Sequence, residues 1–174
     1  KAEDGGFYSP AHYPQQSMST LTTHDMPTLI GYWHCLDLEL GKQLGLYTDD
    51  DVLQTLYASR HEDKQEILNS LHGHGRAGDE VGRDVNVTGM SRELNFALQT
   101  HMAYGSSALL SLQLEDWLQM DKPVNIPGTF MEYPNWRRKL SRNLESIFAD
   151  EDIQSLAAGI NAGRQEAGRQ HNDR

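Results

Sequence analysis

The pair His24-Asp25 is the part of the sequence best suited to chemistry. A carboxylate beside an imidazole can act as a base, orient a hydroxyl group or stabilise a positively charged transition state. The pair follows residues 17–23, an uncharged stretch of small and β-branched residues that is typical of a short buried strand. Catalytic groups of β/α barrels lie at the carboxyl ends of strands, which favours a functional role. The structural alternative is that Asp25 caps a helix with Pro27 in its first turn, and that His24 packs beside it.

A second polar segment, residues 125–138, has the side chains that a hydroxyl-rich ligand needs. Asn125, a threonine and two arginines offer hydrogen bonds, and Trp136 offers a flat apolar face. A Pro-Gly pair within the segment fixes a backbone turn. The alternative is a structural loop that ends in a helix capped by Asn135, with the two arginines in solvent or paired with Glu145.

The eight histidines and the single cysteine do not form a metal-binding pattern. His72 and His74 lack a third ligand at usable spacing, and the three aspartates of residues 49–51 lack the register of a calcium loop. We therefore expect no metal and no cofactor. A His-Asp tandem also resembles the metal-dependent phosphohydrolases of the HD type, which remain an alternative. Cys35 excludes an internal disulfide framework and is interpreted as a small buried apolar residue.

The elements that must position these residues are mostly helical. Helices are expected over residues 28–46, 49–57, 62–71, 91–104, 114–120, 135–148 and 150–162. A second strand is expected over residues 107–113, surface loops over 5–16, 72–89 and 121–134, and a fraying polar tail over 163–174. Two strands do not make a stable sheet alone. The order of strand, loop, helices, strand, loop and helix is typical of two consecutive units of a (β/α) barrel.

Composition limits the partners of the chain. Its 174 residues fit one domain, and 15 Lys and Arg against 25 Asp and Glu give a net charge of −10. That charge argues against nucleic acid and against an anionic membrane surface, because both attract clustered basic residues. No apolar run approaches the ~18 residues of a membrane span, and no export leader is visible, so we expect a cytoplasmic protein. Because the chain opens on Lys1 rather than Met, we expect it to be a piece of a longer protein.

Several motifs, in order, resemble bacterial amylomaltases, which are 4-alpha-glucanotransferases. The similar segments are residues 22–29 (Thr-Thr-His-Asp-Met-Pro-Thr-Leu), 31–33, 38–46, 108–113, 115–118, 124–129 and 135–140. The resemblance implies an α/β fold, namely the C-terminal part of a (β/α)8 TIM barrel. Residues 1–174 would supply strands seven and eight with their helices, and would be helix-rich as an isolated chain.

The resemblance also implies a retaining transglycosylase that acts on maltooligosaccharides without a cofactor. Asp25 matches the family's third acid, which stabilises the transition state, and His24 matches the histidine that bonds the same sugar. Asn125 and Trp136 are further candidates for lining the substrate cleft. The nucleophile and the acid/base would precede Lys1, so the chain would need the N-terminal part of its own barrel and would be inactive alone. A non-enzymatic, α-rich interaction domain is the remaining alternative.

Overall fold

The computed structural model describes residues 6–172, which form an α/β chain rich in helix with one small parallel sheet. In chain order the elements are β1 (Met18–Thr20), α1 (Leu29–Trp33), α2 (Leu36–Gln43), α3 (Asp50–Gly73), α4 (Arg92–Ala103), β2 (Leu109–Ser111), α5 (Leu114–Trp117), α6 (Leu144–Phe148) and α7 (Glu151–Asn172). A short 3-10 turn, Pro10–His12, lies within the expected first loop.

The sheet consists of the two strands that the sequence predicts, although each is shorter than expected. β1 and β2 pair in parallel, with Met18 opposite Leu109 and Thr20 opposite Ser111. The expectation that the first strand is buried is wrong in part, because Met18 at its start is 63% exposed, whereas Ser19 is buried. Leu109, opposite Met18 in β2, is also 63% exposed. An apolar pair of the described sheet therefore faces solvent.

Side-chain caps explain where several helices begin. Asp49 accepts hydrogen bonds from the first turn of α3, and Ser91 accepts one from the amide of Leu94 in α4. Asp150 does the same for α7 through the amides of Asp152 and Ile153. These three starts are confirmed, because each cap satisfies amides that the helix itself leaves unpaired.

The structure corrects three predicted helix boundaries. The separate helices over residues 49–57 and 62–71 are one continuous helix, α3, because no glycine or proline interrupts the intervening residues. The single helix over residues 28–46 is two helices, because half-buried Cys35 adopts a left-handed φ of 59° between α1 and α2. The helix over 135–148 is restricted to α6, which Asn143 caps in place of Asn135.

The core contradicts two further expectations about loops and termini. The main apolar cluster includes Val81 and Val85 from the predicted surface loop, buried against α1, α3 and α4. α7 does not end near residue 162 but continues to Asn172. Gly163 in α7 lies against Ala103 in α4, so the two helices approach closely where no side chain intervenes.

Arg164 ties this longer α7 to the connection between α4 and β2. Its guanidinium donates hydrogen bonds to the backbone carbonyls of Gly105 at 2.9 Å and Ser107 at 2.7 Å. It also reaches the carbonyls of Ala103 and Ala108 at 3.5 and 3.2 Å. One side chain of the predicted tail therefore holds the backbone that enters β2.

Candidate active site

The four residues singled out by the sequence lie together in the structure. The side-chain amide of Asn125 donates a 2.7 Å hydrogen bond to Asp25 Oδ1, and its backbone amide donates a 3.0 Å bond to the His24 carbonyl. The His24 ring lies 4.8 Å from the Trp136 ring, centroid to centroid, at a tilt of 45°. His24 Nε2 lies 3.3 Å from Asp25 Oδ2. Two segments that are about a hundred residues apart thus form one polar cluster.

The His24-Asp25 pair occupies a short loop between β1 and α1. The hydroxyl of Thr28 caps α1 by accepting a 3.2 Å hydrogen bond from the amide of Gly31. The structural alternative for Asp25 is therefore wrong: Thr28 does the capping, and the Asp25 carboxylate is left for other contacts.

A second loop carries Asn125 and Trp136, and Asn135 holds it in shape. Asn135 Oδ1 accepts a 2.8 Å hydrogen bond from the amide of Ile126, and Asn135 Nδ2 donates to the Thr129 hydroxyl at 2.9 Å. The backbone amide of Trp136 donates to the Val124 carbonyl at 3.0 Å. Sequence reasoning gave Asn135 the role of a helix cap and missed this bracing of the loop.

The candidate side chains of the cluster are open to solvent. The side chains of His24 and Asp25 are 51% and 48% exposed, and Trp136 is 63% exposed. Trp136 has a left-handed backbone with φ of 59°, a conformation that is unfavourable for any residue with a Cβ atom. Strained residues of this kind concentrate at ligand sites, where the surroundings hold them in place.

A cavity of about 210 Å³ opens beside Asp25 and Asn125. Its other walls include Tyr47 and Pro127, and the Tyr47 ring rests on the bare backbone of Gly41. The volume is below the ~300 Å³ of a typical small-molecule pocket, so it suits one small unit of a longer ligand. Nothing in the sequence pattern indicated Tyr47. A larger cavity of 560 Å³ lies between α4 and α7 and includes none of the four predicted residues.

The buried carboxylate of Asp116, on α5, contacts the two ends of the loop that carries His24 and Asp25. The Thr22 hydroxyl and the Leu29 amide, the latter at 2.8 Å, donate hydrogen bonds to its two oxygens. Burial raises the pKa of Asp116, and these two hydrogen bonds act in the opposite direction. Sequence reasoning did not single out this residue.

The described residues contain no cluster of side chains that could bind a metal ion. Among residues 6–172, no three His, Cys, Asp or Glu side chains lie close enough together to hold a metal ion. The helices of that same part of the chain are all too short or too polar to cross a membrane.

The fold and site define an α/β chain whose carboxylate, imidazole, amide and indole groups gather in the loops next to a parallel strand pair. The chain belongs to the 4-alpha-glucanotransferase family, whose family model matches residues 1–145. A 4-alpha-glucanotransferase of Haemophilus influenzae is 38% identical over 161 residues, which cover 92% of this chain and 23% of that protein. One of Mycobacterium bovis is 31% identical over 151 residues, which cover 83% of this chain and 20% of that protein.

A solved structure agrees with these sequence relatives. The crystal structure of amylomaltase from Corynebacterium glutamicum matches with a TM-score of 0.75 and 26% identity, covering 89% of this chain and 23% of that one. The chain thus spans about a quarter of the length of the proteins it matches. The predicted family is confirmed, and the comparisons give no support to a metal phosphohydrolase or an interaction domain.

Proposed function

We propose that this chain is the C-terminal part of the (β/α)8 barrel of a 4-alpha-glucanotransferase, with β1 and β2 as strands seven and eight. The parallel pairing of β1 and β2 supports this, because parallel strands normally occur in sheets covered on both faces. The exposed pair Met18 and Leu109 gives the sheet an uncovered apolar face, as expected if further strands complete it. The relatives, about four times as long, have the chain length to supply them.

The proposed reaction transfers an alpha-1,4-glucan segment between maltooligosaccharides with retention of configuration. An aspartate from the preceding part of the barrel bonds to the anomeric carbon, while a glutamate gives its proton to the departing glucan oxygen. The 4-hydroxyl of an acceptor sugar then displaces the aspartate and returns a proton to the glutamate. Both reacting carboxyl groups lie before Lys1 in this proposal, so the chain alone is inactive.

Asp25 supplies the third carboxylate of the proposed site. The observation that carries this role is the Asn125–Asp25 hydrogen bond, which fixes one carboxylate oxygen while the side chain stays half exposed. A fixed carboxylate can accept hydrogen bonds from sugar hydroxyls and stabilise the positive charge that develops on the sugar ring. His24 is placed to bond the same sugar.

Trp136 and Asn125 complete the proposed contacts with the glucan. The exposed indole offers an apolar face to a sugar ring, and His24 supports that indole from one side. Asn125 lines the same cavity as Asp25, and its side-chain amide also holds the Asp25 carboxylate in place. The partners we propose are maltooligosaccharides in the cytoplasm, with no nucleic acid or membrane partner.

The test is the variant Asp25→Asn in the complete enzyme, assayed for glucose release and a chain ladder from maltotriose. We expect turnover to fall about 100-fold or more, because transition-state contacts of this type contribute ~3 kcal/mol or more. Asp79→Asn, which removes an exposed carboxylate from the distant loop after α3, is the matched control and keeps its rate. Near-normal transfer by Asp25→Asn would refute the assignment.

A further inference from the structure

We propose that Asp116 is the positioning residue that holds the His24-Asp25 loop in its working conformation. This inference rests on the proposed function, because it assigns a purpose to the fixed geometry of that loop. Asp116 lies on α5, is 2% exposed and does not reach the solvent-facing site itself.

The contacts of Asp116 bracket the loop at both ends. One carboxylate oxygen accepts from the Thr22 hydroxyl, where the chain leaves β1. The other accepts from the amide of Leu29 at 2.8 Å, where the chain enters α1. Residues 23–28 lie between these two contacts and include the proposed site pair. Because both oxygens belong to one rigid planar group, the two ends of the loop are held at a fixed separation.

A third contact anchors Asp116 itself. The Asn95 side chain, on α4, donates a 2.7 Å hydrogen bond to the Asp116 backbone carbonyl. Asn95 is buried as well. Asp116 therefore links α4, through its backbone carbonyl, to the loop after β1, through its carboxylate. The residues that make these contacts are buried.

Removing the carboxylate would leave two buried donors without a partner. The Thr22 hydroxyl and the Leu29 amide would then seek other acceptors, and the loop would shift to provide them. A displacement of about 1 Å in a catalytic group lowers the rate of an enzyme by roughly 100-fold. We therefore expect a larger effect on kcat than on KM, because the displaced loop carries the carboxylate that is proposed to act in the transition state.

The experiment compares Asp116→Ala, Asp116→Asn and Thr22→Val in the complete enzyme, with kcat and KM for maltotriose and the thermal midpoint of each. We expect Asp116→Ala to lower kcat about 100-fold with little change in KM. Asp116→Asn should recover most of that loss, since its amide oxygen accepts from Leu29 and its amide N–H groups donate to Thr22. Thr22→Val removes one of the two contacts at nearly constant volume, and should lower kcat by about tenfold.

Arg164→Ala is the control for stability. It removes several part-buried hydrogen bonds at the α4–β2 connection, so we expect a lower thermal midpoint and an unchanged kcat. A purely structural Asp116 would behave like Arg164: its variants would melt earlier yet turn over normally, and the inference would be overturned. If Asp116→Ala does not fold, Thr22→Val decides by the same criterion.

The same data separate this inference from the proposed function. An inactive Asp25→Asn enzyme beside fully active Asp116→Ala and Thr22→Val enzymes would remove the positioning role alone. A fully active Asp25→Asn enzyme would remove the proposed function, and the positioning role with it.

Discussion

Trp136 combines an exposed aromatic ring with a left-handed backbone, so the two properties can be separated by substitution. Glycine adopts a φ of 59° without a Cβ penalty, whereas alanine retains that penalty. Both substitutions delete the ring. The comparison of Trp136→Gly with Trp136→Ala therefore isolates the cost of the backbone conformation from the contribution of the indole.

The magnitudes follow from the conformation and the exposure of the residue. A left-handed residue with a Cβ atom costs about 1–2 kcal/mol, and the extra freedom of glycine in the unfolded chain offsets about 0.5–1 kcal/mol of the relief. Trp136→Gly should therefore be about 1 kcal/mol more stable than Trp136→Ala. Trp136 is 63% exposed, so the loss of its ring costs each variant only about 1 kcal/mol of burial.

The assay measures the thermal midpoint and maltotriose transfer of both variants in the complete enzyme, with Trp136→Phe as the control that keeps a ring. We expect the two ringless variants to lose about fivefold in kcat/KM, equivalent to ~1 kcal/mol of ring contact, despite their different stabilities. Equal stability of the glycine and alanine variants would refute the argument from backbone strain. Normal transfer by Trp136→Gly would refute the role of the indole.

Two further predictions concern stability and are measured by urea unfolding of the chain. Burial, aided by the nearby charges of His74 and Arg76, lowers the pKa of His101 from 6.5 to about 4. Between those values the unfolded chain binds a proton that the folded chain does not, so the free energy of unfolding should fall by about 3 kcal/mol from pH 6.5 to pH 4. His101→Gln should lose that part of the pH dependence, and an identical pH profile in the variant would contradict the assignment. The second prediction contrasts two glycines. Gly45 has a φ of 72°, so Gly45→Ala should destabilise the chain by about 1 kcal/mol. Gly168 lies in the helix α7 with open space around it, so Gly168→Ala should stabilise the chain by about 0.5–1 kcal/mol. Shifts of the same sign would contradict that contrast.

The parts of the fold that local chemistry determines were predictable from the sequence. Asp49, Ser91 and Asp150 begin their helices as expected, because a side-chain cap acts on amides two or three residues away. Both strands were also located, because each lies in an uncharged stretch of mostly small and apolar residues within a chain that carries many charges.

The errors occur where distant contacts decide the conformation. Cys35 divides one predicted helix although cysteine is not a helix breaker, and its left-handed conformation has no signal in the sequence. The helix predicted from Asn135 fails because that side chain is used to brace the loop around Ile126. Both results depend on neighbours that a periodic pattern cannot reveal.

For the candidate site, too, the sequence indicated some residues by their type, while another became evident only from its contacts in the folded chain. His24, Asp25, Asn125 and Trp136 were found from residue type and family resemblance, and the structure brings all four together. The buried carboxylate of Asp116 next to this cluster was not expected, because an aspartate in a short helix has the sequence pattern of a solvent-exposed residue.

The contact of Arg164 with the connection before β2 also has a consequence for the order of synthesis. Arg164 follows Ala108, one of the residues whose carbonyl it binds, by 56 positions. At about 5–20 residues per second, a ribosome needs roughly 3 to 11 s to add those residues. Throughout that interval β1 and β2 have both been synthesised, but Arg164, whose guanidinium binds the backbone before β2, has not. The hydrogen bonds of Arg164 to this connection can therefore form only several seconds after both strands have been synthesised.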